Sequence, residues 1–161
     1  MSDGTTVSEA DVARLNEFQE KAMEVLAGGG TLADLRGLGE QDIETIYSIG
    51  FNFYNQAKYE QAEPMFQFAC LYSHLERRYW MALGNCRQML KNYQGAIDSY
   101  GFAFMLDPKD PWPCIQTAVC YLAQGNKELA GESLSLADRA IRNGGGNETA
   151  RQRIQALRQA L

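Results

Sequence analysis

The chain has 161 residues, 45% of them apolar, and sets 15 Lys and Arg against 20 Asp and Glu for a net charge of −5. That length supports one domain with a sizeable core, and the acidic balance argues against nucleic acid and anionic membrane as partners. No apolar run reaches the roughly 18 residues of a membrane helix, and the N-terminus lacks the basic and apolar regions of a signal peptide, so a cytosolic protein is expected.

Met1 to Val7 are polar and read as disordered. From Glu9 to Ala27 the apolar residues Val12, Leu15, Phe18, Ala22, Val25 and Leu26 follow helical spacing. Gly28, Gly29 and Gly30 end that helix. Thr31, with Asp34 three residues on, has the form of a capping box and predicts a short helix before Gly37 and Gly39. Val12, Leu15, Phe18, Val25 and Leu26 carry more apolar surface than a free helix exposes. They must cover the rest of the chain or a second copy of it.

The middle of the chain repeats. Trp80, Leu83 and Gly84 share one helix face, and Ala96, Tyr100 and Ala103 supply the face of a second helix that Pro108 closes. This is the tetratricopeptide pattern of about 34 residues. Stepping back 34 from Leu83, Gly84, Tyr93, Ala96, Tyr100 and Ala103 lands on Ile49, Gly50, Tyr59, Ala62, Phe66 and Ala69. Stepping forward from Gly84, Ala96 and Ala103 lands on Ala118, Ala130 and Ala137, with Thr117, Lys127 and Leu134 in place of bulkier consensus residues. The expected fold is therefore all-α: three stacked helix pairs at 43–76, 77–110 and 111–144, preceded by N-terminal helices in 1–42. Gly144, Gly145 and Gly146 break the third repeat. Asn147 is placed to cap a last helix over 147–161, whose stripe of Ile154, Leu157 and Leu161 would cover the end of the stack.

Signs of catalysis are missing from this pattern. Cys70, Cys86, Cys114 and Cys120 form no C-x2-C pair and have one histidine, His74, to help them, so no metal and no cofactor is expected. Buried reduced thiols are the simpler reading. The glycine triplets lack the phosphate-loop form. Glu40, Asp42 and Glu44 read as the solvated first turn of a helix.

The inner face of the stack carries the functional signal. In the first helix of repeat one, Ile46, Ile49, Gly50 and Phe53 supply the stripe the repeat needs for its own core. Tyr47, Phe51 and Tyr54 make a second stripe about 100° away. First helices line the concave side of such stacks, so this stripe is expected to face a groove; the competing reading packs it against the N-terminal helices. The same positions hold Met81, Asn85 and Gln88 in repeat two. In repeat three they hold Ile115, Val119 and Leu122, with Trp112 nearby. The groove would be aromatic, then mixed, then aliphatic. Asn85 and Gln88 could hydrogen-bond an extended peptide, while Tyr47 and Phe51 stand where a carboxylate clamp would need Lys and Asn.

Three segments resemble one family: GGTLADLRGL (Gly29–Leu38), IYSIGFNFYNQAKYEQAEPMFQFACLY (Ile46–Tyr72) and YWMALGNCRQ (Tyr79–Gln88). They look like the bacterial type III secretion chaperones of the translocator class, over about residues 28–140. The C-R-Q of Cys86–Gln88 is that family's variant of the repeat. The resemblance implies a cytosolic bacterial chaperone that holds hydrophobic secreted translocator proteins, with an extended, proline-flanked client segment in the groove at Tyr47, Phe51 and Tyr54. It also implies a homodimer through the N-terminal helices, using Leu15, Phe18 and Val25. The alternatives are a scaffold that joins folded partners by its outer face, and an enzyme with an unrecognised site.

Overall fold

Seven helices with defined bounds, and no strand, make up the described residues of the computed structural model, which are 39–144 and 147–161 together with Glu20, Gly28, Gly30, Thr31, Asp34 and Gly37. They are α1 (Glu40–Asn55), α2 (Tyr59–Tyr72), α3 (Arg77–Met89), α4 (Tyr93–Leu106), α5 (Trp112–Ala123), α6 (Lys127–Arg142) and α7 (Glu148–Arg158). Each helix packs on the next along the chain from α1 to α6, and α7 closes the end against α5 and α6. The helix expected over Glu9–Ala27, with Leu15, Phe18 and Val25, lies outside the described residues apart from Glu20. Thr31 and Asp34 do form a reciprocal cap: the Asp34 carboxylate accepts from the Thr31 N–H at 2.7 Å, and Thr31 Oγ1 accepts from the Asp34 N–H at 3.4 Å.

The repeat is written into the backbone as well as the side chains. Within each pair the turn carries one left-handed residue at the same register: Ala57 (φ 57°), Lys91 (φ 61°) and Gly125 (φ 76°). The next residue's N–H reaches back to close the helix: Lys58 to the Phe53 carbonyl, Asn92 to Arg87 and Asn126 to Tyr121, each at 2.9 Å. This is the Schellman ending, used three times although only the third turn has glycine. Asn92 and Asn126 then turn their side chains onto the Gly95 and Leu129 N–H groups at 3.1 and 3.0 Å and start the second helices. Asn147 caps α7 in the same way through Ala150, at 3.1 Å.

Side-chain volume follows the register too. A Cβ added at Gly84 would lie 2.4 Å from the Tyr100 ring, and one at Gly50 would lie 2.8 Å from Met65 Cβ and 3.0 Å from the Phe66 ring. In repeat three the glycine becomes Ala118 and the aromatic becomes Leu134, both fully buried in one cluster. The first helix gains a methyl where the second loses a ring, so the space stays filled. That exchange explains why the third repeat looks weak as sequence and packs well as structure.

Two expectations need correction. Ile49 is 42% exposed, whereas its repeat-two equivalent Leu83 is 2% exposed. Leu83 is covered because α2 of the preceding repeat packs on α3; among the described residues no repeat precedes α1. The fully buried large side chain of α1 is instead Ile43, while Ile46 and Phe53 are half-buried. At the other end Ile154 and Leu157 are buried as expected, but Leu161 is 39% exposed, one turn beyond the helix proper.

Candidate functional site

On α1, Ile43, Tyr47, Gly50 and Tyr54 follow one face by i, i+4, i+7 and i+11, so the two tyrosines share their stripe with core residues. Tyr47 meets Phe66 of α2 at 5.6 Å and Tyr79 of α3 at 4.9 Å. Tyr54 meets Tyr59 at 5.2 Å and Phe66 at 6.4 Å. These rings pack on α2 and α3, so among the described residues their neighbours are the repeats themselves. Phe51 lies between the two tyrosines, 6.2 Å from Tyr47 and 6.5 Å from Tyr54, and stays 46% exposed. Binding energy at interfaces concentrates in a few anchors that fill pockets, aromatic residues prominent among them.

These rings open onto a cavity of about 200 Å³ between α1 and α3. Tyr47, Phe51, Tyr54 and Phe66 form its aromatic wall; Arg78, Met81, Ala82 and Asn85 form the other. Larger hollows of about 340 and 620 Å³, over the Ala57–Gln61 turn and beside Arg139 and Leu161, are more open and have no aromatic wall of this kind.

Arg78 is the residue the sequence reading missed. It stands 34 residues after Glu44, the same register in the next repeat, and opposite charges at one register were a visible signal. Its guanidinium donates to Glu44 through Nη1 at 3.0 Å and Nη2 at 2.6 Å. It also lies over the Tyr47 and Tyr79 rings, 5.4 and 5.0 Å from their centroids. Both ion-pair partners are partly exposed, so the pair contributes at most about 1 kcal/mol; its effect is to hold Arg78 beside the cavity. The Tyr79 hydroxyl donates to Glu44 at 3.1 Å. Burial, then that bond, push its phenol up to about 12, so it remains a donor.

The amides of repeat two form the far side. Asn85 lines the cavity, and the buried Tyr100 hydroxyl lies 2.8 Å from Asn85 Oδ1 and 2.8 Å from Gln88 Oε1. Gln88 faces this network rather than the cavity. In repeat three the expectation fails at Ile115, which is fully buried among Cys114, Ala118 and Leu134 and lines no groove. Trp112, Val119 and Leu122 are half-buried against the same cluster, apart from the cavity. The structure thus brings together Tyr47, Phe51, Tyr54, Met81 and Asn85.

The remaining candidates have structural roles. The four cysteines are free and buried. Burial pushes Cys70 and Cys114 up to about 12 and Cys86 and Cys120 up to about 11, away from the thiolate that chemistry would need. His74 offers its backbone carbonyl to the Trp80 indole N–H at 2.8 Å. The Asp42 carboxylate accepts from the Gly39 N–H at 2.9 Å and caps α1. Arg87, in the slot where the repeat prefers a ring, joins three helices: Nε donates to Glu63 of α2 at 2.9 Å, and Nη1 to Gly95 O and Ser99 Oγ of α4 at 3.2 and 3.1 Å. Among the described residues no cluster of His, Cys, Asp and Glu could hold a metal, and no helix is long and apolar enough to cross a membrane.

Comparison with known proteins places this geometry. The tetratricopeptide repeat family model matches residues 43–74 and 79–110. The low calcium response locus protein H of Yersinia pestis is 37% identical over 125 residues, 78% of this chain and 74% of that protein. The structure of the Yersinia enterocolitica type III secretion translocator chaperone SycD superposes with a TM-score of 0.75 at 33% identity, over 82% of this chain and 98% of that one. SycD in complex with a peptide of the translocator YopD superposes with a TM-score of 0.70 at 32% identity, over 76% and 94% of the two chains. The chain belongs to the family of tetratricopeptide-repeat chaperones that serve type III secretion translocators.

Proposed function

We propose that this protein is a bacterial cytoplasmic chaperone that binds a hydrophobic translocator protein before secretion, performs no catalysis, and grips an extended client segment along the inner face of α1 and α3. The observation that carries the reading is the cavity between Tyr47, Phe51, Tyr54 and Met81, with Phe51 exposed between two half-buried tyrosine rings. Its walls suit an aliphatic side chain, worth roughly 1.5–3 kcal/mol when well buried. The structural relative SycD binds a YopD peptide, which is the class of ligand this cavity fits. Calorimetric titration of the chain with that YopD peptide tests the reading. Binding that Phe51→Ala weakens while the melt is kept supports it; binding that Phe51→Ala leaves unchanged rejects the site.

The protein acts as a homodimer in this proposal, through the apolar face of residues 12–26. That face carries Leu15, Phe18 and Val25, and a free helix does not expose such a stripe. Sedimentation of the full chain against one lacking residues 1–27 is expected to show a dimer becoming a monomer that still binds the peptide, because the groove residues begin at Tyr47. A dimer that survives the deletion places the interface elsewhere.

A further inference from the structure

The two ends of the chain differ in charge. From Arg139 to Leu161 there are five arginines, no lysine and one carboxylate, Glu148, whereas residues 1–138 hold ten cations and nineteen carboxylates. An acidic chain therefore ends in a basic segment, and the fold gives that charge a shape. Arg139 of α6 and Arg158 of α7 line the hollow of about 620 Å³ beside these helices, together with the small residues Gly131 and Ser135. Leu136 and Leu161, 36% and 39% exposed, line it as well. Helical spacing puts Arg142 on the α6 face of Gly131 and Ser135, and Arg151 on the α7 face of Arg158. Three carboxylates share the region: Asp138 pairs with Arg158 at 2.5 Å, Glu148 with Arg151 at 3.7 Å, and Glu132 lines the hollow. Lys127, at the far end of α6, donates to the Leu161 backbone oxygen at 2.7 Å. Arg139 and Arg142 are exposed and have no ion-pair partner among the described residues.

We propose that the hollow of α6 and α7 is a docking surface for a second protein, separate from the client groove, and that it takes an acidic segment with an apolar residue between its carboxylates. Charge complementarity chooses the occupant. Guanidinium groups fork onto carboxylates, and two of those here lack such a partner. Leu136 and Leu161 beside them match an apolar side chain. Glu132, Asp138 and Glu148 disfavour a continuous polyanion, nucleic acid or an anionic bilayer, whose phosphates would meet them; a mixed segment sets its carboxylates against the arginines alone. From Gly131 to Arg142 the α6 face runs about 17 Å, the length of about five extended residues. The acidic remainder of the chain repels such a segment and steers it to this end. The hollow shares no lining residue with the aromatic cavity of α1 and α3.

The probe is a fluorescein-labelled dodecapeptide repeating Glu-Glu-Leu, titrated by anisotropy into the full chain beside Lys-Lys-Leu and Glu-Glu-Ser counterparts. The first should bind, more weakly as salt rises, and the other two at least about tenfold less tightly. Arg139→Glu combined with Arg142→Glu alters exposed, unpaired groups, so the melt should hold while affinity for the dodecapeptide falls about tenfold or more. Leu136→Ser should weaken it roughly threefold or more. Neither variant should change affinity for the YopD peptide bound by SycD. The proposal is overturned if the dodecapeptide does not bind, if the Glu-Glu-Ser peptide binds as well, or if the double variant binds like the parent. Tighter binding of an oligonucleotide or of phosphatidylglycerol vesicles also overturns it. A chain lacking residues 1–27 that binds the dodecapeptide far more tightly than the full chain would assign the surface to this chain's own acidic N-terminal segment, and the proposed partner would fall.

Discussion

Tyr47 and Ile115 occupy one register position two repeats apart, and they end in different places. Tyr47 is half-buried, with its ring on Phe66 and Tyr79 and its edge in the cavity. Ile115 is fully buried. The same holds one turn on, where Phe51 is 46% exposed and Val119 is half-buried against the third cluster. The backbone frame is shared, so the difference is one of side-chain size and neighbours. A branched aliphatic residue fits beneath the helix. A tyrosine is too long to fit there, and its ring instead lies under the guanidinium of Arg78, 5.4 Å from the ring centroid. The third repeat is also closed by α7, whose Ile154 and Leu157 join the cluster around Ile115. One end of the stack is sealed, and the other leaves an aromatic ring exposed beside a cavity.

Ile115→Ala tests that contrast most severely. It should cost about 2–5 kcal/mol of stability, as cavities in closed cores do, and leave peptide affinity unchanged below the melt. A small thermal shift with lost affinity would make Ile115 a groove residue after all. Gly84→Leu comes next, with an expected cost of about 1–3 kcal/mol or more, because the new side chain must displace the Tyr100 ring. Gly101 sits on α4 with nothing within 4 Å of an added Cβ. Gly101→Ala should therefore stabilise, by up to about 1 kcal/mol. Equal melts for the two glycine variants would show that the helix contacts are misassigned.

Phe51→Ala should weaken the YopD peptide by about tenfold or more, the loss of one buried anchor, whereas Val119→Ala should weaken it less than about threefold. Equal losses would extend the groove into the third repeat. The smallest effect concerns pH. Cys70 and Cys114 are held up to about 12 from an ordinary 9.0. Above pH 9 the unfolded chain releases these protons and the native one keeps them, so stability falls as pH rises from about 9 toward 12. Melts between about pH 8.5 and 10.5 should decline, and Cys70→Ala with Cys114→Ala should flatten the decline. An unchanged slope would show that these thiols do not differ between the two states.

Much of this was legible beforehand. The glycine at 50 and 84, the alanines at 62, 69, 96 and 103, and the aromatic residues at 66 and 100 sit at one period, and small-against-large packing at helix contacts is a local rule that spacing reveals. Tyr47, Phe51 and Tyr54 could be placed together because three residues on one helix keep their relation wherever the helix goes. Arg78 was missed, and Ile115 misplaced, for the opposite reason. Arg78 matters through Glu44, Tyr47 and Tyr79 on two helices, and Ile115 through the closure of α7.

The sequence by itself determined the repeat: helix pairs, their period and the aromatic stripe follow from interactions within one repeat and its copy. Only the tertiary structure decided which inner positions are open. Burial depends on what packs from outside the repeat, and that differs at the two ends of a stack. Among the described residues, the preceding helix that covers Leu83 has no counterpart over Ile49, and the capping helix that seals Ile115 has none over Tyr47.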